Sequence, residues 1–216
     1  MIGYALRVTV LAMGISLALT ASATVRARGF EPRTLEFAAV ADGPSQAALD
    51  AAQAAYRHAL DLGVVVNPRL LTVIDYSRPS TQPRLWVLDL VSHVIVRREL
   101  VAHGRGSGEN FATSFSNDDG SHKSSLGLFV TGVAYVGHNG YSLRLRGLDP
   151  GVNDHAYARD IVIHGAEYVS DAVARTLGRI GRSWGCPAVR LAVAQELIDQ
   201  IKGGTVLFAY GATASR

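Results

Sequence analysis

The chain is nearly devoid of cysteine: one thiol, Cys186, stands in 216 residues. A single thiol excludes an intrachain disulfide, so the core must hold the fold by packing alone. No cysteine stands directly after the apolar N-terminal stretch, which argues against a lipid-anchored lipoprotein. That stretch, Val8 to Leu19, is about a dozen residues long and broken by Thr and Ser, short of the ~20 that a membrane span needs. Charge of one sign is also scarce. The net charge of +3 is slight and evenly spread, which argues against nucleic acid as a partner. Internal repeats and low-complexity tracts are missing, and so is the His-Glu-x-x-His spacing of a zinc peptidase.

What is present begins with an export pattern. Arg7 precedes the apolar run, and Ala21-Ser22-Ala23 supplies the small-x-small site of a signal peptidase. Residues 1–23 therefore read as a signal peptide with a mature start at Thr24. The alternative is an uncleaved anchor, the one route by which the chain would contact a membrane. Arg7 is the only charge before Thr24, so cleavage takes the net charge from +3 to +2. The expected destination is the periplasm or cell envelope. Residues 24–43 read as a linker or loosely docked arm, and residues 44–216 as one domain of sufficient size for its own core.

Periodicity gives the elements. Leu49, Ala52, Tyr56 and Leu60 share one face of a helix over 44–62, ended by Gly63. Runs rich in Val, Ile and Leu at 70–76, 85–90, 94–101, 126–131, 135–136, 143–145 and 161–163 read as strands. Ser170 caps a short helix to Leu177. Leu191, Ala194, Ile198 and Ile201 mark a last helix stopped by Gly203-Gly204, before a strand over 205–210. The class is mainly β with peripheral helices, a barrel or sandwich. Residues 103–125 show no period. So long a polar, glycine-rich loop in a compact domain tends to be functional or disordered.

The chemistry centres on Ser183-Trp184-Gly185-Cys186-Pro187 and, 22 residues upstream of the thiol, Ile163-His164-Gly165. An unpaired thiol in an exported chain points to reactivity. An imidazole in reach takes its proton and returns it to a leaving amine. No carboxylate stands where it would orient His164, so the Gly165 carbonyl is the expected acceptor for Nδ1–H. Gly185 permits a sharp turn, in which the amides of Trp184, Gly185 and Cys186, beside Ser183, converge as an oxyanion hole. The competing reading makes Cys186 a small buried hydrophobe and His164 a satisfied core residue. His103, Ser107, His122, Lys123 and Ser125 sit in the long loop and are candidate substrate contacts. Arg182 is placed to meet a carboxylate, or else is a solvated charge. Arg105, Arg175, Arg179 and Arg190 read as facing water.

These residues resemble the signature of the L,D-transpeptidases, the YkuD-type catalytic domain, in which a histidine strand precedes Ser/Thr-His-Gly-Cys. The string from His103 through Phe115-Ser116-Asn117, Ser124-Ser125-Leu126-Gly127, Asn153-Asp154 and Gly181-Arg182-Ser183 is similar to the murein L,D-transpeptidase subgroup. The resemblance covers about residues 65–210. Trp184 replaces the usual motif histidine. Ala188 stands two residues after the thiol, where the common pattern has a polar residue, and Arg190 lies four after it. The resemblance implies attack by Cys186 on a peptidoglycan stem tetrapeptide, release of D-alanine, and passage of the thioester to an amine or to water. It implies stem peptides as partners, carbapenems as covalent inhibitors, and neither metal nor cofactor. Two other classes stay open. A zinc-dependent wall peptidase would use His103, His122, His138, His155 and His164 with Asp154 or Asp160. A non-catalytic peptidoglycan-binding module would have no physical need of a free thiol.

Overall fold

The computed structural model describes residues 42–212; the signal segment 1–23 and the arm up to residue 41 lie outside them. Three helices accompany nine strands: α1 (Gln46–Asp61), β1 (Leu70–Asp75), β2 (Leu85–Asp89), β3 (Val94–Glu99), β4 (Val101–Ala102), β5 (Gly127–Gly137), β6 (Gly140–Gly147), β7 (Val162–Ala166), α2 (Asp171–Leu177), β8 (Ala188–Arg190), α3 (Leu191–Ile201) and β9 (Val206–Tyr210). None of these helices is long and apolar enough to cross a membrane.

The strands form one mixed sheet in the order β3-β2-β1-β9-β5-β6-β7-β8-β4. β1 runs parallel to β9, and β7 parallel to β8. The first and last strands of this order, β3 and β4, are consecutive in the chain, separated by Leu100 alone. The sheet therefore curls back on itself without a closing ladder. Arg190 of β8 bonds the buried Glu99 carboxylate of β3 at 2.8 Å across that seam. This overturns the expectation that Arg190 faces water. An ion pair so sheltered leaves a buried carboxylate behind if the arginine is removed.

Two apolar layers sandwich the sheet, as alternation along the strands requires. Leu71 and Val73 of β1 meet Ala52 and Tyr56 of α1, with Trp86 and Leu88 of β2. Leu70 and Ile74 face the other way, with Ala194, Leu197, Ile198 and Ile201 of α3. α1 begins at Ser45, whose hydroxyl accepts from the Ala48 amide, and Gly63 beyond it has a φ of +65°. Ala59 rather than Leu60 completes its buried face. Trp86 is fully buried, and its Nε1–H donates to the Asp42 carbonyl at 2.8 Å. Replacing Trp86 by alanine should cost about 3–5 kcal/mol in urea unfolding, read as a lower midpoint at unchanged slope.

Two departures from the periodic reading matter for the site. Residues 126–131 and 135–136 belong to one strand, β5, with a bulge between Thr131 and Ala134. Strand β8 carries no apolar run long enough to announce itself, yet its parallel pairing with β7 sets the Ser183–Pro187 turn at the end of the histidine strand.

Candidate active site

Adjacent parallel strands place the two key residues. His164 of β7 pairs in register with Ala188, and Cys186 precedes Ala188 by two residues. The half-buried thiol lies against the Val162 amide and points its S–H at the Asp160 carbonyl, 3.6 Å away. His164 is buried, and its Nδ1–H donates to the Gly165 carbonyl at 2.9 Å. A carbonyl oxygen can only accept, so Nδ1 carries the proton and Nε2 keeps its lone pair. The carbonyl thus does the orienting that a carboxylate does elsewhere. Close packing of Gly165 on Ala194 and Leu191 of α3, where a Cβ would come within 2.8 Å of Ala194 Cβ, holds the strand there.

Burial disfavours both charged forms. It pushes the His164 imidazole below its usual range and the Cys186 thiol above its own. Both shifts favour the neutral forms, thiol and imidazole.

The Ser183–Pro187 turn is pinned from several sides. Ser183 Oγ donates to the Cys186 carbonyl at 2.6 Å, and the Gly185 amide donates to Ser183 Oγ at 3.1 Å. The Ser183 amide bonds the His103 carbonyl at 3.0 Å. The expected convergence of amides is corrected accordingly: the Gly185 N–H is committed to the serine. The Cys186 amide lies beside its own sulfur, and the Trp184 amide is outside the hydrogen bonds of the described residues. Gly185 has a φ of +125°, open to glycine alone.

The long loop is ordered by a serine lattice. Ser107 Oγ accepts from the Ser124 amide at 2.9 Å, and Ser124 Oγ accepts from Gly104 and donates to the Gly185 carbonyl at 3.1 Å. Ser107 and His103 are fully buried, so neither meets substrate, contrary to expectation. His103 Nδ1 accepts from Arg84 at 2.7 Å, and its Nε2 donates to the Gly108 carbonyl at 3.2 Å. Burial, reinforced by the Arg84 charge, pushes this imidazole down to about 4. Ser125 is buried and bonds the Ser116 carbonyl and Arg159 instead of opening to a cleft. Arg182 is held by Glu109 at 2.7 Å, a carboxylate it shares with Arg179, and so is not the free carboxylate clamp expected. Arg105 and Arg179 do not simply face water either: Arg105 bonds His122, and Arg179 bonds Glu109.

His122 and Trp184 do line the surface. Trp184 is 68% exposed, its indole stacked on His122 at 5.0 Å with the Arg105 guanidinium 5.3 Å from the ring. His122 has a φ of +53°, in the left-handed region that few non-glycine residues adopt. Sequence reasoning passed over Arg159, whose guanidinium reaches the nucleophile turn. In the sequence it is one charge beside Asp160, indistinguishable from a surface residue.

No three His, Cys, Asp or Glu side chains gather as a metal-ligand group among the described residues. A groove of 810 Å³ runs along β5 and β6 by Val130, Gly132, Tyr141 and Gly204, and contains neither Cys186 nor His164. Size does not locate the chemistry here.

The curled mixed sheet carries His164 on β7 and holds Cys186 two residues before the β8 residue that pairs with it. Residues 41–210 match the family described as L,D-transpeptidase catalytic domain, and the chain belongs to that family. No curated protein matches it. Among solved structures it is similar to the L,D-transpeptidase from Mycobacterium smegmatis, with 12% identity, a TM-score of 0.39, and 66% of this chain covering 58% of that one. It is also similar to the L,D-transpeptidase from Xylanimonas cellulosilytica, at 18% identity and a TM-score of 0.39, covering 71% and 68% of the two chains. The LD transpeptidase LdtMt1 in complex with imipenem is 13% identical, with a TM-score of 0.40 over 66% of this chain and 59% of that one. The chain thus spans less than two thirds of the first of these relatives.

Proposed function

We propose that the protein is an exported peptidoglycan L,D-transpeptidase that works through a thioester on Cys186. The observation that carries this reading is the tautomer of His164. With Nδ1–H held by the Gly165 carbonyl, Nε2 keeps the lone pair with which the proposed step takes a proton from Cys186, two residues before the Ala188 that pairs with His164. Membership of the L,D-transpeptidase family supplies the substrate class.

The donor is the tetrapeptide stem. His164 Nε2 takes the proton from Sγ as sulfur bonds to the carbonyl carbon of the stem's third residue, and the oxygen gathers negative charge. The Trp184 and Cys186 amides stabilise that charge. One such donor is typically worth about a hundredfold or more in rate. Collapse breaks the C–N bond, His164 returns its proton to the departing amine, and D-alanine leaves. An amine of a second stem then attacks the thioester carbon, gives up a proton to His164, and frees the thiol. The product is a 3-3 cross-link. Water in place of the amine yields a tripeptide, which is carboxypeptidase activity.

The setting is the periplasm or cell envelope, reached by way of the signal segment 1–23. Carbapenems, whose strained carbonyl accepts the same sulfur, are expected to acylate Cys186. The test is incubation with tetrapeptide muropeptides and separation of the products by mass. Release of D-alanine with a cross-linked dimer supports the transpeptidase, and a tripeptide alone supports the hydrolase. Activity that survives thiol alkylation but not a chelator contradicts both and favours a zinc peptidase.

A further inference from the structure

Arg159 stands at the end of the loop between β6 and β7, one residue before Asp160, whose carbonyl accepts the Cys186 S–H. Its Nη1 donates to the Ser116 carbonyl at 2.8 Å and to Ser125 Oγ at 2.7 Å. Its Nη2 donates to the Lys123 carbonyl at 2.8 Å and to Ser121 Oγ at 3.3 Å. All four acceptors are neutral. Other arginines around the site have a carboxylate at close range, Arg144 in Asp160, Arg190 in Glu99 and Arg182 in Glu109 (shared with Arg179), while Arg105 has none among the described residues but lies on the exposed Trp184 ring and His122 instead. No ion pair among the described residues includes Arg159. Asp118 and Asp119 act on it only at longer range.

A guanidinium keeps its proton at any working pH, so this half-buried head carries positive charge that no contact cancels. A Cβ on Gly185 would lie 3.5 Å from Nη2, which sets the charge against the residue preceding the nucleophile. Four of the five N–H groups are already committed. The head is thus poorly placed to clamp a ligand's carboxylate; what it projects into the site is its field.

We propose that Arg159 is a positioning residue for the nucleophile: its fixed charge, held beside Gly185 by four neutral acceptors, favours the sulfur anion of Cys186 and braces the 116–125 loop over it. The proposal rests on the reading of Cys186 as nucleophile. It also resolves a difficulty of the neutral resting pair. Proton transfer from thiol to imidazole creates a buried sulfur anion, and an unneutralised cation is what makes that anion attainable.

The groups facing the sulfur can be named. Arg159 stabilises the anion and the Asp160 carboxylate opposes it, both from the β6–β7 loop. Tyr76, just past β1, and Tyr168, just past β7, feel the sulfur charge, and burial pushes each up to about 12, so both stay neutral. His164, the proton acceptor of the proposed step, stands on the neighbouring strand β7, and burial lowers its pKa.

The test needs no substrate, because Cys186 is the chain's only thiol. The rate of its alkylation by iodoacetamide is measured against pH on the full-length protein. Arg159→Gln should raise the midpoint by about one pH unit and slow alkylation at pH 7 about tenfold. Arg159→Lys keeps the charge and should return the midpoint close to wild type. Asp160→Asn keeps the carbonyl and tolerates the φ of +53°, and should lower the midpoint. Loop damage alone would not give opposite signs at neighbouring positions. An Arg159→Gln midpoint equal to wild type overturns the proposal. Should that variant not fold, an unmoved midpoint in Asp160→Asn overturns it equally, since charge at this loop end would then not reach the sulfur. Either result leaves acylation of Cys186 by substrate to be judged separately.

Discussion

Replacing His164 by alanine is expected to slow acylation of Cys186 by about 10²–10⁴-fold, the usual contribution of a positioned general base. In the proposed mechanism, loss of the imidazole removes both the acceptor of the thiol proton and the acid for the leaving amine. The affected step is chemical, so kcat should fall while KM changes little. The pH profile carries a second signature. Burial lowers the His164 pKa, so the imidazole remains a neutral base at a pH where an exposed histidine is already protonated. The acid limb of kcat/KM should lie below the ordinary imidazole value of about 6.5. Wild-type acylation rates in His164→Ala, measured by quenched-flow mass analysis, would remove the residue from its role.

Gly104→Ala is the second substitution with a large expected effect, and it acts from outside the motif. A Cβ there would overlap the His122 carbonyl oxygen and come within 2.9 Å of the Gly185 Cα and amide nitrogen. These neighbours are backbone, so no side chain can swing aside. Two loops have to part, and one of them carries the thiol. Overpacking of this sort costs about 1–3 kcal/mol in stability. The catalytic loss should be larger in consequence, about a hundredfold, because a displacement near 1 Å already spoils attack geometry. The expected pattern is a folded protein with a modestly lowered urea midpoint and a severe defect in acylation. Full activity in Gly104→Ala would mean that the contact between the 103–125 loop and the nucleophile turn is unimportant.

The parts of the fold that were legible in the sequence are those fixed by local pattern. The face of α1 around Ala52 and Tyr56, the cap at Ser170 and the face of α3 through Ala194, Ile198 and Ile201 follow from spacing alone. Strands β1 and β2 lie buried on both faces and read as continuous apolar runs. What escaped depends on pairing between distant segments. Three residues, Ala188–Arg190, become a strand only because β7 and β4 flank them. The near-closure of the sheet through Leu100 is likewise a property of topology and leaves no periodic trace.

The candidate site shows the same division. The Ser183–Pro187 turn and the Ile163–Gly165 strand are contiguous and carry their own chemistry. The loop residues do not, since a histidine in a polar loop looks the same whether it faces solvent or the core. His103 turns inward because the buried Arg84 needs acceptors for its donors, and finds them in the Val101 carbonyl at 2.9 Å and in His103. Arg159 was hidden for the converse reason. Its partners Ser116, Ser121, Lys123 and Ser125 lie more than thirty residues away, and only folding assembles them around it.

Intact-mass analysis after mixing with a tetrapeptide muropeptide or a carbapenem tests the central claim most directly. The account predicts a covalent adduct of acyl mass on the wild-type chain, mapped to Cys186 and missing from Cys186→Ser. An adduct that persists in the serine variant, or a wild-type chain that stays unmodified by both reagents, would contradict it.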